Sequence, residues 1–455
     1  MKKDCIVVVL AAGQGTRMKS KTPKVLHEAA GKPLAAWVVD AAAGVTDAKP
    51  VIVTSKDGKP IEDAFGDTAE YAVQSEQLGT GHAVMAASDF ITGEGYVLVV
   101  AGDMPLIRTQ TLGKIADTAI DNKLGACLLS AQMDDPTGYG RIVQGDNGVA
   151  RIVEHKDASE AERKITEVNA SVYCFSIPLL LEALQSLGND NVQGEYYLTD
   201  CIAYIAGKGA GVKSVVCADS DECMGVNDKV QLAEAAKVLR RRINENLMRK
   251  GVTIIDPDST YIDASVTIGA DTVVHPGVTI QGSSTIGEGT VLYPGSRIQN
   301  SVIGSSTTVQ NSVILESRVG DNTTIGPYAY LRPKSDVGSG CRVGDFVEVK
   351  NAQIKDGAKV SHLSYIGDGE IGEKSNIGCG VVFVNYDGQK KSRTVVGKNA
   401  FVGCNANLVA PVTIGDGAYV AAGSTVTKDV ESDALCVARS RQKNIEGWAK
   451  RRREQ

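Results

Sequence analysis

The sequence predicts two unlike folds in series: an α/β domain over residues 1–228 and a β-helix, a solenoid of very short parallel strands, over residues 251–455. A helix over 229–250 links them. Three observations carry this reading. From Ile268 to Val430 aliphatic residues return every six positions. Near the N-terminus the unbroken run Ile6-Val7-Val8-Val9-Leu10 passes straight into a glycine-containing loop, and later strand-like runs alternate with helical stretches. Between the two, Leu232, Ala236, Leu239, Ile243 and Leu247 recur at spacings of 4, 3, 4 and 4, the mark of an amphipathic helix, and Gly251 stops it.

The N-terminal run is β-branched and continuous, as expected of a parallel strand covered on both faces. It is too short to span a bilayer and lacks a cleavage-type segment, so it reads as a buried strand. Further strands fall at Pro50 to Thr54, Tyr96 to Ala101 and Ala126 to Ala131. The loop Ala11-Ala12-Gly13-Gln14-Gly15-Thr16-Arg17 can wrap backbone N–H groups around phosphate oxygens, with Arg17 adding charge-assisted bonds. A dinucleotide fingerprint would have glycine where Met18 stands, and no Gly-Lys-Ser/Thr follows to make a P-loop. A plain strand-to-helix turn is the bland alternative, but Thr22-Pro23-Lys24-Val25-Leu26 sets a second cation just beyond the loop. Asp103 follows the strand Tyr96 to Ala101, where α/β sheets hold ligands; a hard oxygen there suits Mg²⁺, and a helix N-cap is the structural alternative.

In the second half Ile268, Val274, Ile280, Ile286, Leu292 and Ile298 share one frame, with Thr272, Val278, Ser284, Thr290 and Ser296 four places after successive members. The frame slips, for example between Ile298 and Ile303, and resumes through Val319, Ile325, Leu331, Val337 and Val343, and later from Val396 to Val426. Each hexad fits one flat side of a coil that buries one aliphatic and one small residue, with Gly, Asn and Asp turning the corners. A β-sandwich would instead show turns at uneven spacings of roughly 8 to 12 residues. Residues 384–395 interrupt the beat as a polar, basic loop able to reach a ligand or a neighbouring subunit. Within the repeat, His362 and Glu348 break otherwise small, neutral hexads. A lone histidine is commonly structural, yet a neutral imidazole with a carboxylate partner also suits a general base, so His362 is assigned as base and Glu348 as its partner. Arg332, Lys350 and Lys391 form a cationic set suited to a sugar phosphate.

Composition narrows the partners. At 455 residues with a net charge of −6, the chain has no footprint for nucleic acid or an anionic membrane, and the basic tail Lys450 to Arg453 reads as a solvated end. Ten scattered cysteines without a CxxC pair or zinc spacing point to reduced thiols in the cytoplasm.

Leu10-Ala11-Ala12-Gly13-x-Gly-Thr-Arg-Met followed by Pro-Lys-Val-Leu resembles the signature of sugar-phosphate nucleotidyltransferases, which have a Rossmann-like sheet. The resemblance implies that Leu10, Ala11, Ala12, Gly13 and Lys24 meet the nucleotide and that Lys24 and Arg17 act catalytically. It also implies that Gln74, Gly79 and Thr80 read uracil, whereas His82 merely begins a helix. Gly140, Glu154, Asn169, Tyr197 and Thr199 would line a pocket for an N-acetylated amino sugar, and Asn227 would join Asp103 on the metal. Ala101 stands where related enzymes often carry Tyr. The hexads resemble the left-handed β-helix of trimeric hexapeptide acyltransferases. By that resemblance Tyr365 and Asn376 join Arg332, Lys350 and Lys391 at the acceptor, and Cys379, Asn385, Tyr386, Cys404, Ala422 and Arg439 hold acetyl-CoA. Cys404 occupies a place often taken by Ser, and Cys379 one often taken by Ala.

Along its whole length the chain resembles the bifunctional family that makes UDP-N-acetylglucosamine. The resemblance implies a homotrimer, not inserted in a membrane, that acetylates glucosamine 1-phosphate from acetyl-CoA and then joins N-acetylglucosamine 1-phosphate to UTP with release of pyrophosphate. Two other classes stay open: a single-activity nucleotidyltransferase whose prism only assembles or regulates, and a non-catalytic scaffold on the same plan.

Overall fold

A computed structural model describes residues 4–454 of the chain, which divides into two compact units, Met1–Leu239 and Arg240–Gln455. The first is built on a nine-stranded sheet. Its parallel part runs Glu70–Gln74, Val51–Ser55, Cys5–Leu10 and Tyr96–Ala101; the long strand Glu167–Ser176 then lies antiparallel to Tyr96–Ala101 and to Ala126–Gln132. The continuous apolar run is explained by cover on both faces. Val7 and Val9 pack with Ala35, Val38, Leu112 and Ile115 on one side, while Val8 packs with Ala83, Val84 and Leu180 on the other. The strands expected from Pro50 and from Ala126 are observed as Val51–Ser55 and Ala126–Gln132.

The second unit is a three-sided parallel β-helix whose faces are sheets of 11, 10 and 9 strands, each strand two to four residues long. Like positions stack: Val274 pairs with Leu292 and Leu292 with Val309, all fully buried. The small partners of each hexad are buried too, and their hydroxyls bind successive coils. Thr290 Oγ1 donates to the Gly304 carbonyl at 2.8 Å and accepts from the Thr307 N–H at 3.3 Å. The slip between Ile298 and Ile303 is taken up at a tight corner where Asn300 adopts a left-handed φ of 46°. The loop over 384–395 leaves the strand Val382–Val384, doubles back through a bridge between Tyr386 and Lys391, and re-enters at Thr394–Val396. Among the described residues no face of this unit pairs antiparallel, so the sandwich alternative is excluded.

The amphipathic helix is observed as Lys229–Arg249, and Gly251 beyond it has a φ of 95°, which suits glycine. Ala235 and Leu239 are buried with Leu34 and Leu106 of the first unit, and Leu247 with Val252 and Ile254 of the second. Among the described residues no helix is long and apolar enough to cross a membrane.

Two candidate functional sites

A cavity of about 810 Å³ opens at the carboxyl ends of the parallel strands of the first unit. One end of it is the loop after Cys5–Leu10. The Ala11 N–H donates to the Val53 carbonyl at 2.9 Å, which anchors the loop to the sheet. Gly13 has no atom within 4 Å of the place a Cβ would take, so its bare backbone faces open space. Gly15 has a φ of 58°, and a Cβ there would stand 2.6 Å from Lys24 Cβ; the glycine lets Lys24 lie against the loop. Arg17 also lines the cavity.

Lys24 Nζ is ion-paired to Asp103 Oδ2 and lies 3.2 Å from Asn227 Oδ1. The backbone explains this convergence. The Val226 N–H donates to the Asp103 carbonyl at 2.9 Å, which draws Gly225-Val226-Asn227 against the turn that carries Asp103. Asp103 is no helix N-cap, because Arg108 precedes the next helix, Thr109–Asp121. Two hard oxygens facing one ammonium are a donor set that suits Mg²⁺, with phosphate and water oxygens completing the coordination. No cluster of three acidic, Cys or His side chains with metal-holding geometry occurs among the described residues.

Elsewhere in the lining, Gln74 is 4% exposed, and its Nε2 lies 3.1 Å from the Gly79 carbonyl oxygen and 3.1 Å from His82 Nδ1. Gly79 has a φ of 112°, and a Cβ there would be 2.6 Å from the Tyr196 carbonyl, so only glycine fits. Thr80 Oγ1 accepts from the Leu198 N–H at 3.1 Å. Ala101 lines the cavity with only a methyl group. At the far end lie Gly140, Glu154, Asn169 and Thr199. Glu154 accepts from Thr199 Oγ1 at 3.2 Å, and burial pushes its carboxyl above the usual range. Asn169 donates to the Tyr173 hydroxyl at 2.6 Å and accepts from the Ser171 N–H at 3.2 Å.

Of the residues expected here, Tyr197 is placed differently. It is buried but not among the residues that line the cavity, its hydroxyl accepting from Gln193 Nε2 at 2.9 Å and lying 3.3 Å from Asp157. Gln77, Ser171, Tyr173 and Cys223 line the cavity without having been singled out. Gln77 lies between Gln74 and Gly79, and its Nε2 donates to the Ala12 carbonyl at 2.7 Å. The other three carry no local pattern.

The second site lies on the β-helix. Asp345 and His362 are paired positions of adjacent coils, and Asp345 Oδ1 is 2.7 Å from His362 Nδ1. The imidazole bond holds the Asp345 carboxyl below the usual carboxylate range. This corrects the expected partner. Glu348 lies on the next face, in register with Tyr330 and Tyr365, and accepts from Arg332 Nη1 at 2.9 Å. Parallel stacking sets like position over like position, so the residue one coil before His362 takes the imidazole.

Lys350 follows at the end of that face. Its Nζ is 3.7 Å from Asp368, which also accepts from Asn385 Nδ2 at 2.5 Å and Asn351 Nδ2 at 2.6 Å. Burial raises the Asp368 carboxyl, but these bonds and the neighbouring lysines outweigh it and leave the group below its usual range. Lys350 in turn pushes the Lys391 ammonium down, as expected of two neighbouring cations. A Cβ at Gly367 would stand 2.5 Å from the Tyr365 hydroxyl and 2.7 Å from Asn385 Nδ2, so this glycine brings those two side chains together. Asp368 was not foreseen, since nothing in a Gly-Asp corner marks it among many.

Cys379, Cys404 and Ala422 continue the His362 edge coil by coil. The Gly380 N–H donates to the His362 carbonyl at 3.4 Å, Asn405 N–H to Cys379 at 2.7 Å and Gly423 N–H to Cys404 at 2.8 Å. Arg439 is exposed just after Ala438, whose carbonyl accepts from the Thr425 N–H at 3.0 Å. Asn376 lies on the same face as His362, paired with Lys359 and Phe401, and Tyr386 is exposed on the loop with its hydroxyl donating to the Gly388 carbonyl at 2.6 Å. His362 thus leads from the face it shares with Asn376 into the face that Lys350 and Gly367 close.

Compared with known families, residues 7–169 match the MobA-like NTP transferase domain, and 265–300, 316–351 and 393–428 match the bacterial transferase hexapeptide (six repeats). Among curated relatives, Bifunctional protein GlmU of Clostridium perfringens (strain SM101 / Type A) is 51% identical over 448 residues, 98% of each chain. The protein of that name from Caldanaerobacter subterraneus subsp. tengcongensis is 51% identical over 451 residues, 99% of this chain and 98% of its own. That from Clostridioides difficile (strain 630) is 48% identical over 450 residues, 98% of each. The expected architecture holds: a Rossmann-like nucleotidyltransferase domain followed by a left-handed β-helix of hexapeptide repeats.

Proposed function

Because this chain belongs to the family of bifunctional GlmU proteins, we propose that it performs two successive transfers. It moves acetyl from acetyl-CoA to glucosamine 1-phosphate, then uridylyl from UTP to N-acetylglucosamine 1-phosphate with release of pyrophosphate. The observation that carries this reading is the presence, in separate units of one chain, of two chemically distinct sites. One is a phosphate loop beside paired hard oxygens, the other an imidazole–carboxylate pair beside clustered cations. Assays of pyrophosphate and free coenzyme A on the purified protein test it, and absence of either product refutes that half.

In the acetyl transfer, Asp345 accepts the Nδ1–H of His362 and leaves Nε2 with a free lone pair. The amine of the acceptor attacks the thioester carbonyl and loses a proton to Nε2. The C–S bond breaks, and the thiolate of coenzyme A leaves and takes up a proton. Arg332, Lys350 and Lys391 hold the sugar phosphate, with Tyr365 and Asn376 around the sugar. Asn385, Tyr386, Cys379, Cys404, Ala422 and Arg439 hold the coenzyme. Glu348 acts on Arg332, orienting it.

In the uridylyl transfer, the sugar phosphate attacks the α-phosphorus in line with the departing pyrophosphate, so no covalent protein nucleophile is needed. Lys24, Arg17 and the amides of the Gly13 loop stabilise the charge that develops. Asp103 and Asn227 would hold Mg²⁺, which when bound neutralises charge on the triphosphate. Gln74, Gly79 and Thr80 meet the base, and Gly140, Glu154, Asn169 and Thr199 the sugar. The functional division is 1–228 for uridylyl transfer, 229–250 as linker and 251–455 for acetyl transfer, in a cytoplasmic homotrimer.

A further inference from the structure

The amide of Gln74 is held on one side only. It ends the strand Glu70–Gln74 and is almost wholly buried, yet it lines the cavity. Its Nε2 stands 3.1 Å from the Gly79 carbonyl oxygen and 3.1 Å from His82 Nδ1. A primary amide has two N–H donors, and here each has an acceptor. The opposite orientation would set Oε1 against the Gly79 carbonyl, acceptor facing acceptor. With Nε2 as donor, His82 must present a lone pair at Nδ1 and carry its proton at Nε2. His82 is itself fixed from the third position of the helix Thr80–Ala86, with its ring 6.2 Å from that of Tyr196. The consequence is that Gln74 has only its oxygen left for a ligand in the cavity.

We propose that His82 is a positioning residue for base selection: by occupying the second N–H of Gln74 it leaves an acceptor alone to face the pyrimidine. The N3–H of uracil donates to that oxygen, whereas N3 of cytosine is an acceptor and meets it with a lone pair. Discrimination arises because a buried amide without a free donor cannot adapt to the wrong base. The inference rests on the reading of this cavity as a uridylyl-transfer site.

The test is pyrophosphate release from UTP and from CTP with N-acetylglucosamine 1-phosphate, using the full chain and the variants His82→Phe, His82→Asn and Gln74→Ala. Phenylalanine keeps the ring and removes the acceptor, while Asn can bring an oxygen to about the place of Nδ1. The UTP-over-CTP ratio of kcat/KM is expected to fall about tenfold in His82→Phe, the scale of one neutral hydrogen bond, and to recover in His82→Asn. The loss should lie more in KM for UTP than in kcat. A parental ratio in His82→Phe, where the ring is kept, would mean that the ring only packs and overturns the proposal, and so does a His82→Asn variant as poor as His82→Phe, because restoring the acceptor would then restore nothing. If His82→Phe does not fold, His82→Ala against His82→Asn supplies the comparison, since both lack the ring and only Asn has the acceptor. Gln74→Ala separates the two levels: a parental ratio there refutes the base-reading role of Gln74 itself, and the inference with it. A lowered ratio there with no effect at His82 refutes only the inference.

Discussion

Asp345 Oδ1 stands 2.7 Å from His362 Nδ1 although the two residues are 17 apart in the chain. One turn of the coil brings them together, and the backbone fixes the turn: the Leu363 N–H donates to the Asp345 carbonyl at 2.9 Å. A side chain on such an edge cannot drift without breaking the ladder on which the next coil is built. The imidazole therefore has one orientation and, with a carboxylate at Nδ1, one tautomer.

His362→Ala should lower release of free coenzyme A by about 10²–10⁴-fold, the usual worth of a general base. Asp345→Asn should lower it by about 10–100-fold, as loss of an orienting partner does. Pyrophosphate release from N-acetylglucosamine 1-phosphate should persist in both. Thiol release by His362→Ala at the parental rate would exclude it as base.

Asp103→Ala should act in the opposite sense, lowering pyrophosphate release by at least about 10²-fold while acetyl transfer continues. The same variant should no longer need Mg²⁺ for what UTP binding it retains. Equal loss of both products in a folded protein would refute separate sites.

The Glu154 carboxyl gives a pH-dependent prediction. Burial raises its pKa in the folded unit, so the folded unit holds that proton more tightly than the unfolded chain does. Stability of the first unit should then decline as pH rises from the ordinary carboxylate range through the raised folded value. Glu154→Gln should abolish that part of the decline and raise the melting temperature at neutral pH. Melting curves of the two proteins with identical pH dependence would contradict it.

Gly367→Ala tests the acceptor site by geometry. The new Cβ would meet the Tyr365 hydroxyl at 2.5 Å and Asn385 Nδ2 at 2.7 Å. Both are ends of side chains that can move, so the coil should survive with a loss below about 1 kcal/mol, less than ordinary overpacking. The site should shift, and KM for glucosamine 1-phosphate should rise about tenfold, the scale of one lost hydrogen bond. Unchanged acetyl-transfer kinetics would remove Tyr365 from the acceptor site.

The β-helix was legible in the sequence because each buried position repeats: Val274, Leu292 and Val309 are the same place in three coils. What the hexads do not state is the register of one coil on the next, because the frame slips at corners such as Asn300. That is why Glu348 and Asp345, three residues apart, could not be told apart as partners of His362. They lie on different faces once the corner at Phe346 is turned, where φ is 55°. In the first unit the loop cations and Asp103 stood out because strand ends are marked by composition. His82 and Tyr197 did not resolve in the same way. Their roles depend on hydrogen-bond partners that the fold brings to them, namely Gln74 for the one and Gln193 with Asp157 for the other.

The most direct test of two sites in one chain is a mixing experiment. Asp103→Ala and His362→Ala are supplied, singly and together, with glucosamine 1-phosphate, acetyl-CoA, UTP and Mg²⁺, and free coenzyme A and pyrophosphate are followed separately. Alone, the first should yield coenzyme A without pyrophosphate, and the second should yield neither until N-acetylglucosamine 1-phosphate is added, when pyrophosphate should appear. Mixed, they should yield both products, coenzyme A first. A mixture that releases coenzyme A but no pyrophosphate, although the His362→Ala variant responds to the added N-acetylated sugar, would contradict transfer of a free intermediate between two independent sites.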